Sequence, residues 1–172
     1  MGCDIHLFCE KKIDGKWEAL KDSNEAEIKN CKDRALSDPS NAALWEEYAE
    51  NYKNDYNFIY SQRNYNVFAM LANVRNYGYA HVAIDTPRGL PHDASDLIKT
   101  ESQKWGVDGH SHSYLTVKEL LDYNWDRTAY YNNAKMVYKN EAGIFYDWSL
   151  PKLKELAGDN LESVRIVFWF DN

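Results

Sequence analysis

Asp4 and His6, together with His110 and His112, are the residues whose type and spacing best suit chemistry. In CDIH a carboxylate and an imidazole stand two positions apart, which on a strand puts them about 7 Å apart on one side. In DGHSHSYLT two imidazoles are separated by one serine and preceded by a glycine. Carboxylate oxygen and imidazole nitrogen are ligands for zinc or manganese, and the same groups serve as general acid and base. Brought together, the four could hold a divalent metal, Zn or Mn. Left apart, Asp4 and His6 read as the hydrogen-bonded polar face of an outer strand, and His110 and His112 as packing around a helix cap.

A metal-free site draws on the same stretch. Ser111 and Ser113 offer hydroxyls, Tyr114 a ring for stacking, and Gly109 and the helix start at Thr116 offer backbone N–H groups. A helix N-terminus beside His and Arg suits an anion. Arg88, in the stiff loop DTPRGLPHD, could clamp a phosphate with two parallel hydrogen bonds, or be paired with a carboxylate. Arg63 and Arg75 flank a helical stretch and read as surface or structural arginines. Cys3 alternates to the side opposite His6, so it reads as a buried thiol rather than a nucleophile.

These residues need a scaffold. The chain's 172 residues suffice for one domain with a real core. Residues 3–13 alternate as a strand, Asp14-Gly15 signals a hairpin turn, and residues 16–20 form the return strand. Residues 78–84 (GYAHVAI) read as another strand. VRIVFWF, residues 164–170, is rich in β-branched and aromatic residues and reads as a central strand beside the N-terminal one. Helices are expected at 23–36 and 39–53, the latter with Asp38 as cap and Pro39 in its first turn. Further helices are expected at 64–75, at 94–104 behind Asp93 as cap, and at 151–157 with Gly158 as its stop. The Thr116/Glu119 spacing is a capping box, so DGHSHSYL reads as a loop delivered to a helix N-terminus. Residues 126–150 give no clear pattern. The fold class expected is α+β: a single domain over 1–172, with a mixed or antiparallel sheet, packed helices and a helical insertion at 22–54. That insertion is polar and contains no histidine, so it is expected to lie away from the chemistry.

Composition narrows the partners. The net charge of −7, with no Lys/Arg cluster, argues against duplex nucleic acid. No stretch approaches the ~18 apolar residues of a membrane helix, and the start MGCDIHLFCEKK lacks the basic and apolar regions of a signal peptide. Three cysteines without a CxxC pair fit reduced thiols in a cytoplasm. Thirteen Tyr and six Trp suit either a core of large side chains or half-buried ligand walls and subunit contacts, so an oligomer is allowed.

MGCDIH, FAMLANVRN, PRGLP, DGHSHSYLT-x-x-EL and RIVFWFDN together resemble a family of small phage and bacterial proteins that begin MGCDIH. The resemblance covers most of the chain outside 22–54. It implies a cytosolic protein, in the host cytoplasm if phage-encoded, and it carries no catalytic assignments. The D-x-H and G-H-x-H pairs are also similar to the outer motifs of calcineurin-like metallophosphoesterases. The intervening GD and GNHD motifs are missing, so membership of that family is rejected. The expected function is a small hydrolase acting on a phosphoester in a nucleotide-like ligand. Asp4, His6, His110 and His112 would be its metal ligands or acid–base groups, and Arg88 would neutralise developing charge. Two alternatives stay open. One is a non-enzymatic protein that sequesters a nucleotide-type signal, as an anti-defence protein would. The other is an interaction domain without a small ligand.

Overall fold

The computed structural model describes residues 2–172, apart from the side chains of Tyr79 and Tyr131. β1 (Ile5–Ile13) and β2 (Lys16–Ala19) form the expected hairpin. Asp14 and Gly15 turn it with positive φ at both positions, the geometry that matches the twist of the flanking strands. α1 (Glu25–Ser37) and α2 (Ala42–Lys53) follow, joined by a short turn at Pro39–Asn41. Their base is closed by Asp22 and Asp55, whose backbones exchange hydrogen bonds of 3.0 and 3.1 Å. The helical excursion therefore leaves and rejoins the domain at one point.

α3 (Tyr65–Ala72) starts on Asn64, whose side chain accepts from the N–H groups of Asn66 and Val67, and ends on Asn73 in the left-handed conformation. α4 spans Asp96–Trp105, and β3 spans His110–Thr116. α5 (Val117–Asp122) carries the expected capping box between Thr116 and Glu119. Residues 126–150 contain the hairpin β4 (Thr128–Tyr131) and β5 (Ala134–Val137), then α6 (Tyr138–Ala142) and a wide turn at Phe145–Ser149. α7 (Leu150–Ala157) and β6 (Val164–Phe170) complete the chain.

The main sheet is antiparallel with order β2-β1-β6-β3, so the two terminal strands are its centre, as expected. β6 is buried along its whole length because both faces are covered. Ile166, Phe168 and Phe170 pack with Leu7, Cys9 and Leu115 under α3 and the later helices. Val167 and Trp169 pack with Phe8 against Ile98 of α4 on the other face. A strand buried on both sides reads as a continuous apolar run. The result is one α+β domain.

Three expectations differ from the structure. Residues 78–84 do not form a strand: a short turn at Tyr77–Tyr79 runs into a loop. There the Tyr138 hydroxyl donates to Ala80 O and accepts from Val82 N–H, and the Asn76 side chain brackets the backbone of His81. Side chains do the work a strand ladder would have done. The HSHSYLT stretch is not a loop but β3, the fourth strand, with a bulge between His110 and Ser113. Its polar alternation hid it, because it lies at the end of the sheet where few apolar contacts are needed. Finally, Asp93 does not cap the helix after it. Ser95 precedes α4, while Asp93 accepts from Arg165 and Trp17.

Candidate functional site

The antiparallel register places His6 opposite Trp169. Cross-strand partners share a face, so His6, Phe8, Trp169, Val167 and Tyr114 lie on the side covered by α4. At the start of β3, Ser111 has φ +53°. A bulge re-aims the side chains beside it. His112 is thereby stacked on Trp169, with ring centroids 5.4 Å apart, while His6 stacks on the same indole at 5.9 Å. Two imidazoles thus flank one fully buried tryptophan.

α4 covers both of them. Ser102 and Trp105 are three residues apart and so face the same way. Ser102 Oγ is 2.9 Å from His112 Nε2, and the Trp105 ring centroid is 3.9 Å from that of His6. His6 Nε2 is also 3.1 Å from Asp171 Oδ2. The second carboxylate oxygen of Asp171 accepts from the Asp4 backbone N–H at 2.9 Å, and Asp171 N–H donates to Asp4 O at 3.2 Å. Asp171 is thus held at both oxygens. His6 and Asp171 side chains are 20% and 17% exposed, so solvent can still reach the pair.

The other expected site residues fall elsewhere. The Asp4 carboxylate turns away from His6 and receives Arg63 through two hydrogen bonds of 2.7 and 2.5 Å. That guanidinium holds the Asp4 carboxyl below its ordinary range. His110 lies on the opposite face, stacked on Phe170 at 6.1 Å, with Nδ1 3.0 Å from Ser111 Oγ. Its Nε2 is buried without a hydrogen-bond partner among the described residues. The four-residue set of Asp4, His6, His110 and His112 is therefore not assembled as one cluster. Among the described residues no group of three or more His, Cys, Asp or Glu is arranged to hold a metal ion.

Arg88 departs from its expected role as well. Its Nε donates to Asp85 at 2.7 Å, Nη2 to Glu119 at 2.6 Å, and Nη1 to the Tyr114 carbonyl at 3.1 Å. Glu119 is held below its usual range: burial works against that, but Arg88 and the Thr116 N–H and hydroxyl outweigh it. The loop's Arg88 N–H donates to Ser113 Oγ and its Gly89 N–H to His112 O, which covers the outer edge of β3. Arg88, Ser113 and Thr116 are thus spent on internal bonds, Ser111 serves His110, and Tyr114 lies beside the guanidinium groups of Arg88 and Arg165. They position β3; they do not form the expected anion cradle.

No protein-family model, curated protein or solved structure matches this chain.

Two residues that the spacing did not single out, Asp171 and Ser102, complete the histidine pairs. The expected pairing of the terminal strands was a usable signal for Asp171, because it sets the last residues of the chain opposite the first. Ser102 had no signal, being one polar residue among many on an amphipathic helix. Chemically, each pair holds two members of the nucleophile–base–orienter arrangement. Ser102–His112 is a hydroxyl beside a base, without a carboxylate behind the base. His6–Asp171 is an imidazole with an orienting carboxylate, and the pair is partly reached by solvent. His112 is further pushed below its ordinary value by burial and by the neighbouring His110, which favours its neutral form.

Proposed function

We propose that the protein is a small hydrolase acting on a phosphoester in a nucleotide-like ligand, with His6 as the proton-transfer residue and Asp171 as its positioning residue. The observation that carries this reading is the His6 Nε2–Asp171 Oδ2 hydrogen bond, backed by the Asp4 N–H on the second oxygen. An imidazole whose one nitrogen is fixed by a carboxylate has a set tautomer and a set ring plane. Its other nitrogen is then directed at substrate. Trp105, half-buried over His6, offers an indole on which a base would stack. Arg63 and Arg75 stand at the same end of the sheet, reaching Asp4 and Gly2. Arg63, although paired with Asp4, also acts on Asp171 and so places positive charge near the pair in a chain of net charge −7.

No helix among the described residues is long and apolar enough to cross a membrane. The reading places the reaction in the cytoplasm, that of the host if the protein is phage-encoded. The test is incubation with a panel of nucleotides and cyclic dinucleotides, followed by chromatography of the products. Cleavage by the parent, reduced about 10²–10⁴-fold in His6→Gln with substrate still bound, is expected. Intact ligand recovered in every case, released only on heat denaturation, would replace hydrolysis by sequestration.

A further inference from the structure

Behind the N-terminal end of the sheet lies a cavity of about 110 Å³ whose lining includes Tyr65, Asn66, Arg75, Tyr77, His81 and Met136. We propose that it is a binding site for a compact oxyanion, a phosphate or carboxylate group, with Arg75 as the countercharge and His81 as a hydrogen-bond donor. Neither residue belongs to the His6–Asp171 pair, and the proposal does not depend on that pair being catalytic.

Arg75 is the first support. Arg63, Arg88 and Arg165 are each paired with carboxylates. Arg75 has no carboxylate partner among the described residues. Its two protein hydrogen bonds go to Asn172 Oδ1 at 2.7 Å and Gly2 O at 3.5 Å, and both use Nη2. The Cys3 thiol and the Tyr77 hydroxyl also lie beside the guanidinium, so its immediate partners are neutral, and a guanidinium fork matches the spacing of two oxyanion oxygens. The residue is also held at φ +53°, a conformation that costs a non-glycine residue energy and so needs a surrounding structure that enforces it.

His81 is the second support. It is only 6% exposed, and its Nε2 is buried with no hydrogen-bond partner among the described residues. A buried polar atom left unpaired costs free energy, so an orphan lining a cavity is explained by a ligand that satisfies it. Burial pushes the His81 imidazole below its ordinary value, so it serves as a neutral donor rather than as a second cation. The walls fit a small guest. The Tyr65 and Tyr77 rings meet edge to face at 6.2 Å, and Arg75 lies over the Tyr65 ring at 5.9 Å. No carboxylate is among the described lining residues, and Glu141 accepts the Asn66 amide at 2.9 Å. The volume admits a single oxyanion group and excludes a whole nucleotide.

The experiment is titration of the intact chain with inorganic phosphate and, separately, with acetate, followed through the His81 imidazole and Arg75 Nε–H resonances by NMR. The expected result is a saturable shift of both with at least one of the two anions. Arg75→Gln should weaken that binding by about tenfold or more. Arg75→Lys keeps the charge while removing the fork, and gives a smaller loss in the same direction should the Gln variant fail to fold. No saturable shift at tens of millimolar of either anion, or equal affinity in the parent and Arg75→Lys, overturns the site.

Discussion

His6 and His112 stand on either side of the same indole and under the same helix, yet they are built for different work. His6 has a carboxylate on Nε2, a carboxylate that the Asp4 backbone holds in place. His112 has a serine hydroxyl on Nε2, and burial and His110 together favour its neutral state. One imidazole is held by a carboxylate, as the proposed proton transfer needs; the other is packed as part of the wall. Two like residues at mirrored positions therefore teach that what stands behind the ring, rather than the ring's presence, decides its role.

The strongest way to break this comparison is to remove what the two share. Trp169→Ala should cost about 3–5 kcal/mol in chemical denaturation, because a fully buried aromatic is lost and both imidazoles lose their platform. A cost below about 1 kcal/mol would mean the ring stack does not organise the site. Next in size is Ser102→Ala. It leaves His112 Nε2 without its hydroxyl and should cost about 1–3 kcal/mol. Turnover should change little if His112 is structural; a loss as large as that of His6→Gln would exchange the two roles.

The pH dependence sharpens the contrast. In the folded chain His112 and His81 both lie below their ordinary value of 6.5. The unfolded chain then binds more protons in that range than the native one. Their contribution to stability is full above about pH 6.5 and is lost as the pH falls below it. Denaturation curves from pH 7.5 down to pH 5 should show that decline. His112→Gln should flatten part of the slope, and an unchanged slope would contradict the assignment. The smallest effect is expected from the helical excursion. Replacing residues 24–53 by a short Gly-Ser linker should leave turnover within about twofold, since the Asp22–Asp55 bonds already close the base. A folded but inactive variant would show that α1 and α2 belong to the site.

Much of the frame was legible in the sequence, for physical reasons. The Asp-Gly turn, the Thr116/Glu119 box and the β-branched and aromatic run of 164–170 are local signals, and each element forms where its signal lies. β3 was hidden because the alternation of His110, Ser111, His112 and Ser113 carries no apolar face. Residues 78–84 misled because their backbone groups are satisfied instead by Tyr138, 56 residues from Val82, and by Asn76, 5 residues from His81. At the site, His6 and His112 were visible as residues, but their partners were not: Asp171 is 165 residues from His6, and Ser102, 10 residues from His112, lies on a different element. Of the two readings open for Arg88, the carboxylate-paired one holds, with Asp85 in its own loop and Glu119 on another element, while Arg75, read as a surface or structural residue, lines a cavity.

The central claim is the coupling of His6 to Asp171, and a double-mutant cycle on turnover tests it most directly. The parent, His6→Gln, Asp171→Asn and the double variant would be assayed on one cleaved nucleotide across pH 5–9. If Asp171 acts through His6, Asp171→Asn loses at least about tenfold with substrate binding kept, and the double variant is no worse than His6→Gln alone. Losses that simply multiply in the double variant, or an Asp171→Asn protein as active as the parent, would contradict it.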